Sequence, residues 1–171
     1  DWTAFKAEVV KAAVKLKAAG ANALAITSGT THVAAQAVAA ATGLPVLHML
    51  DCLSDAMNAA GSKRPLLLGT PWVMSGDYFA SALAERYAGD PIVPSKADRD
   101  MVGRVIVAAL VEGIVNDSSR AEMSAMVARY AAQGADGVIL GCTELRLILE
   151  QADCTVPVFS TTHIHAKAID A

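Results

Sequence analysis

The chain has 171 residues, the length of a single domain or of two small lobes, and can bury about two thirds of the surface it exposes when unfolded. Hydrophobic residues make up 54% against 5% aromatic and 18% charged, which excludes a disordered chain, a disulfide scaffold and a collagen-like fibre. Fourteen Lys and Arg against seventeen Asp and Glu give a net charge of −3, and the basic residues are scattered singly or in pairs such as Lys63-Arg64, so charge recruits neither nucleic acid nor an anionic membrane.

The chain opens on a helical pattern with Phe5, Val9, Ala13 and Leu16 on one face, and no basic segment leading into an apolar one marks a signal peptide. Residues 18–50 carry no charge. They nevertheless hold Asn22, two histidines, Gln36, Pro45 and several threonines, and they divide into strand-like and helix-like pieces, so no membrane span is expected. Those pieces are a buried strand within residues 20–28, an alanine-rich helix at 34–41 and a Pro-led strand at 44–47. Further along, the pattern predicts a strand at 65–70, a helix at 77–87, a short strand at 91–94 and a helix at 98–115. A helix with Met123, Val127 and Tyr130 on its apolar stripe follows, then strands centred on Val138-Ile139-Leu140 and Val156-Pro157-Val158-Phe159. Short apolar runs alternating with helical patterns predict buried parallel strands and an α/β fold.

A repeat organises these elements. Gly20-Ala21-Asn22-Ala23-Leu24-Ala25-Ile26-Thr27-Ser28 aligns without a gap on Gly134-Ala135-Asp136-Gly137-Val138-Ile139-Leu140-Gly141-Cys142, which places Ser28 opposite Cys142. Leu44-Pro45-Val46-Leu47 answers Val156-Pro157-Val158-Phe159. The expected organisation is a first lobe at about residues 1–60, a second at about 61–156, and a segment 157–171 returning to the first. Duplicated α/β lobes occur in binding proteins as well as enzymes, so the repeat alone leaves catalysis and binding both open.

In parallel α/β sheets ligands bind beyond the carboxyl ends of the strands, which is where Ser28-Gly29-Thr30-Thr31-His32 and Cys142-Thr143-Glu144 fall. Two facing lobes would put Ser28 and Cys142 on opposite sides of one pocket, with threonine hydroxyls and backbone N–H groups at helix starts cradling a carboxylate. A helix start would also stabilise a Cys142 thiolate and fit it as base or nucleophile; the other reading is a small buried hydrophobe. Cys52 and Cys154 have no such setting, and three cysteines without paired spacing are read as free thiols in a reducing cytosol. His163 and His165, two apart, fit a strand or turn better than a helical metal pair, and no carboxylate cluster accompanies them, so no metal site is expected. His32 can cap, pack or orient the pocket. Gly69-Thr70-Pro71 and Met74-Ser75-Gly76-Asp77-Tyr78 form either a third pocket loop or an ordinary turn with Ser75 or Asp77 as helix cap.

With these residues in place the sequence resembles the aspartate/glutamate racemase family of cofactor-independent amino-acid racemases, and the match runs along nearly the whole chain. It includes Gly20-Ala21, Thr30-Thr31-His32, Leu44-Pro45-Val46-Leu47-His48, Leu68-Gly69-Thr70, Val93-Pro94, Asp117-Ser118-Ser119-Arg120, the Gly-Cys-Thr-Glu element at 141–144 and Thr161-Thr162 with Ile164-His165-Ala166. The resemblance implies two pseudo-symmetric parallel-sheet lobes with the active site in the cleft between them. It implies α-proton transfer between two residues, Cys142 and Ser28, with Gly29, Thr30, Thr31, Thr70, Thr143, Glu144 and Thr161 at the substrate. No cofactor is implied, the partner is an amino acid or similar carboxylate, and the assembly is a cytoplasmic homodimer. Most of the family has a second cysteine where Ser28 stands, and a subset has threonine. Gly29 replaces an asparagine, Val73 a threonine and Ser160 an aspartate. The family's opening strand and glycine-rich first loop, an N-terminal βαβ unit, have no counterpart here; an incomplete record is expected, because the downstream elements keep core-like patterning. A one-sided decarboxylase or isomerase and a non-catalytic carboxylate binder are the alternatives.

Overall fold

The computed structural model describes residues 1–75 and 77–170. Helix α1 (Trp2–Ala18) starts at Asp1, whose carboxylate accepts the N–H groups of Thr3 and Ala4. Strand β1 (Leu24–Ala25) is followed by a 3₁₀ segment, Thr30–Ala34, then by α2 (Ala35–Thr42), β2 (Val46–Leu47) and α3 (Met49–Ala59). Next come β3 (Leu66–Leu68), α4 (Pro71–Ser75), α5 (Asp77–Ala84), α6 (Lys96–Ala108) and α7 (Asp117–Ala132). After α7 the chain forms β4 (Val138–Leu140), a 3₁₀ segment Thr143–Leu147, β5 (Val158–Ser160) and α8 (Thr161–Asp170).

The strands form two small parallel sheets, β1-β2 and β3-β4-β5. Every residue of β3 and β4 is buried, as expected of strands covered on both faces. Alternation sends their side chains into two cores. Leu66, Leu68, Val138 and Leu140 pack with Val102 and Ile106 of α6 and Met123 and Met126 of α7. Leu67, Ile139 and Phe159 pack with Leu50, Leu53 and Met57 of α3 and Phe79 and Leu83 of α5. A smaller core joins Ala13, Leu24, Ala34 and Val38.

The sequence repeat has a counterpart in register. Leu24 lies opposite Val46 in one sheet and Val138 opposite Val158 in the other. Gly20 and Gly134, which align in the repeat, have φ of +100° and +98° where the chain leaves α1 and α7. This left-handed region is strained for side-chain-bearing residues, so glycine ends both helices. Asp136, two residues on, ties the entry of β4 to the entry of β3. Its carboxylate accepts Ser62 Oγ at 2.7 Å and the N–H groups of Lys63 and Arg64.

Several expectations are corrected. Residues 91–94 make only one bridge, Ile92 to Leu66, because prolines at 91 and 94 remove ladder donors. The helix expected over 98–115 is α6, ending at Ala108 and followed by a 3₁₀ turn, Leu110–Glu112, that Gly113 terminates at φ +73°. His163 and His165 lie on α8, not on a strand or turn. The first turn after β3 is capped by Thr70, whose Oγ1 faces the Val73 N–H at 3.4 Å. Ser75 is the last residue of α4, while Gly76 and the Asp77 side chain lie outside the described residues. Helix α3 has no counterpart among the expected elements, although Leu50, Leu53 and Met57 recur at helical spacing. It precedes residue 60, yet it packs on the three-stranded sheet and on α8.

Candidate active site

The strand ends converge on one cavity of about 180 Å³. Ser28, Gly29 and Thr30 come from the turn after β1, Met49 from the start of α3 and Thr70 from the turn after β3. Gly141, Cys142, Thr143 and Glu144 follow β4, and Thr161 follows β5. Ser28 and Cys142 thus border one space, as do Gly29, Thr30, Thr70, Thr143, Glu144 and Thr161. Thr31 does not line it. Met49 lines it without having been singled out from sequence, and Gly141, read there only as part of the repeat and of the Gly-Cys-Thr-Glu element, lines it as well. The two turns approach closely: a Cβ on Gly29 would stand 3.4 Å from the Gly141 carbonyl oxygen.

Cys142 is 9% exposed, and its Sγ donates to Glu144 Oε2 at 2.8 Å. Burial pushes the thiol up to about 12, and the hydrogen bond to the Glu144 carboxylate adds to that; the N–H groups of Glu144 and Thr143 oppose it and are outweighed. This reverses the thiolate stabilisation expected from sequence. A five-residue 3₁₀ segment follows Cys142 in place of a long helix, and the nearest side-chain charge is negative. Glu144 in turn is held below the usual carboxyl range by the hydrogen bonds from Cys142 and Thr143, the latter at 2.5 Å.

Hydrogen-bond direction gives the cavity two chemically different walls. Thr161 Oγ1 donates to the Leu140 carbonyl at 2.8 Å and Thr143 Oγ1 donates to Glu144, so both hydroxyls, with the Glu144 carboxylate, present acceptors. Thr70 Oγ1 accepts the Val73 N–H and keeps its own proton for donation. Ser28 and Thr30 make no side-chain hydrogen bond among the described residues and also have donors to offer.

Gly29 and Thr30 also border a neighbouring cavity of about 350 Å³, walled by Trp2, Val33, Trp72, Val73 and Phe79 among others. Gly29 and Val73, the positions where the resemblance leads to an expected asparagine and threonine, therefore meet on a largely apolar wall. Ser160 lies outside both cavities, buried, with its Oγ accepting the His163 N–H at the start of α8. Sequence reasoning missed a cluster beside the site, in which the rings of His48 and His165 lie 4.7 and 5.8 Å from that of His32. Among the described residues no group of three or more His, Cys, Asp and Glu could hold a metal ion, and no helix is long and apolar enough to cross a membrane.

Parallel strands whose ends gather a thiol, a carboxylate and several hydroxyls define an α/β protein with a candidate small-molecule site at the carboxyl edge of its sheets. The chain belongs to the Asp/Glu/hydantoin racemase family, whose model matches residues 1–169. It is similar to a Yersinia pestis crystal structure provisionally assigned as an Asp/Glu racemase, at 36% identity and a TM-score of 0.92 over 98% of this chain and 73% of that one. An aspartate racemase homologue from Pyrococcus horikoshii OT3 matches at 29% identity and a TM-score of 0.90, over 99% of this chain and 74% of the other. The broad specificity amino-acid racemase RacX of Bacillus subtilis is 22% identical over 98% of this chain and 72% of its own length.

Proposed function

We propose that the chain is a cofactor-independent racemase or epimerase of an amino acid, acidic ones being the first candidates from the family, with Cys142 and Ser28 working on opposite faces of Cα. The observation that carries this reading is the single cavity bordered by both residues, which stand at equivalent positions of the repeat. The pseudo-symmetry is read as two lobes built around β1-β2 and β3-β4-β5, with the cavity as the cleft between them.

The two walls orient a zwitterion. The substrate carboxylate faces the donors of Thr30 and Thr70, leaving the Ser28 hydroxyl for Cα, and the ammonium faces the acceptors Glu144, Thr143 and Thr161. An ammonium beside Cys142 places positive charge next to the sulfur and lowers a thiol that is otherwise too weakly acidic to ionise. The thiol proton leaves through Glu144, its hydrogen-bonded acceptor, to water. The thiolate then takes the Cα proton: the Cα–H bond breaks, an S–H bond forms, and the electron pair delocalises into the substrate carboxylate. Ser28 Oγ–H gives its proton to the opposite face and is reprotonated from water, so the net change is inversion alone. A serine hydroxyl is a poor base, so the enantiomer presenting its Cα–H to Cys142 is the better substrate.

Incubation in deuterated water with the L and D enantiomers of aspartate and glutamate tests this reading. Proton NMR follows loss of the Cα–H signal and chiral chromatography follows inversion. Exchange with inversion that disappears in Cys142→Ala supports the racemase; exchange retained in that variant refutes the role of Cys142. Ser28 also supports a second reading, a one-sided isomerase or decarboxylase: exchange without inversion is expected of the isomerase, and breaking of the Cα–carboxylate bond, with release of CO2 and addition of one solvent deuteron at Cα, of the decarboxylase.

A further inference from the structure

We infer that His32 is a positioning residue, fixing the Ser28 face of the cavity by bridging Ser28 and Met49 through its two ring nitrogens. The inference rests on the two-faced reading above. His32 is 2% exposed and sits on the 3₁₀ segment that follows Ser28. Its Nδ1 lies 2.8 Å from the Ser28 carbonyl oxygen, and its Nε2 accepts the Met49 N–H at 3.0 Å. Ser28 and Met49 both line the cavity.

The hydrogen-bond directions determine the ring's state. A backbone N–H only donates, so Nε2 must carry a lone pair; a carbonyl only accepts, so Nδ1 must carry the hydrogen. His32 is therefore the neutral Nδ1–H tautomer. Burial pushes its pKa down to about 4, which keeps it neutral across the ordinary pH range. The flanking rings are also tied to the backbone. His48 Nδ1 accepts the Leu50 N–H at 3.2 Å, and His165 Nε2–H donates to the Leu47 carbonyl at 3.0 Å. Together they leave the His32 ring little room to turn.

The bridge acts on one face only. Cys142 is delivered by β4, whose partners are β3 and β5, and its side chain is held by Glu144. Ser28 follows a two-residue strand, and its carbonyl is held by His32. Loss of that bond lets the Ser28 backbone rotate and moves Oγ relative to Cα, and displacements of about 1 Å can cost on the order of 10²-fold in a proton transfer. A general loss of stability would slow both faces alike.

The amide of Asn falls close to the position of Nδ1 and that of Gln close to the position of Nε2, so the two variants separate the bonds. Each is assayed for inversion and Cα–H exchange in deuterated water with L- and D-aspartate, glutamate, alanine and phenylalanine. In His32→Gln, inversion is expected to fall by about tenfold or more while exchange on the Cys142 face falls by less than about threefold. In His32→Asn, which retains a donor to Ser28, the ratio of inversion to exchange returns to within about threefold of wild type. Equal losses of inversion and exchange in His32→Gln, or the same ratio in both variants, overturn the inference and leave the racemase reading standing. Wild-type protein that exchanges no Cα–H with any of these probes overturns the racemase reading, and this inference with it. The ¹⁵N spectrum of histidine-labelled wild-type protein needs no variant to fold: a protonated Nδ1 and unprotonated Nε2 are expected for His32, and the reverse tautomer refutes the bridge.

Discussion

Cys142 and Glu144 are two residues apart in sequence, and their chemistry is set by one hydrogen bond. The thiol donates to a carboxylate, so Glu144 suppresses the thiolate and, in the proposed mechanism, provides the route by which the proton leaves. Glu144→Gln should therefore change two properties in opposite directions. Without the negative charge the thiol becomes more acidic, and alkylation of Cys142 by iodoacetamide at pH 8 should speed up about three- to tenfold, read by mass spectrometry of the labelled peptide. Cα–H exchange should fall on the order of 10²-fold, because the proton acceptor and one ammonium partner are lost. A parallel change of both rates would refute the coupling. In the wild-type protein the thiol is pushed up to about 12, so alkylation should keep rising from pH 8 to pH 11 and not level off near the ordinary thiol value of about 8.5. Gly-Cys-Thr-Glu is legible as a unit in the sequence; whether its thiol is acidic or not depends on burial and on the direction of a side chain, and neither is written in the motif.

At the scale of elements, β3 and β4 run so close at their carboxyl ends that only glycine fits at 141. The Gly141 N–H donates to Leu68 O at 2.7 Å, and an added Cβ would stand 2.9 Å from that oxygen and 3.1 Å from Val73 Cγ1. Gly141→Ala should cost about 1 to 3 kcal/mol in urea denaturation and displace Cys142 enough to lower exchange. The other end of β4 is tied by Asp136. Burial raises this carboxyl, but the hydrogen bonds from Ser62, Lys63 and Arg64 outweigh it and hold the group below its ordinary value. Such a group contributes stability above its unfolded pKa, and the contribution is lost as pH falls through the folded one. Asp136→Ala should lower stability by about 2 kcal/mol at pH 7, with the difference from wild type shrinking below about pH 4. The strands themselves were readable from Leu66-Leu67-Leu68 and Val138-Ile139-Leu140, because a buried parallel strand needs a continuous apolar run. Helix α8 was not, since spacing of two between His163 and His165 also fits a helix once one histidine turns inward and the other outward.

Across the whole molecule, the histidine cluster joins the smaller sheet to the C-terminal helix. His32 and His48 are both held below their ordinary pKa, chiefly by burial; His48 and His165 lower His32 further, while the Ser28 carbonyl and Asp51 pull it upward without prevailing. A depressed histidine favours the neutral form in the fold. Its contribution is present above the unfolded pKa of about 6.5 and is lost as pH falls toward the folded value of about 4. Between pH 7 and pH 5 His32 alone should lower unfolding free energy by about 2 kcal/mol, measured as a shift in urea midpoint, and His32→Asn should flatten that dependence. The sequence by itself determined the alternation of strands and helices, the repeat that places Ser28 opposite Cys142, and the strand-end turns that carry the chemistry, because side-chain periodicity and turn residues act over a few neighbours. Only the tertiary structure decided the donor and acceptor walls, the reluctance of Cys142 to ionise and the tautomer of His32. Those properties depend on desolvation and on partners distant in the chain, such as Leu47 and His165, 118 residues apart.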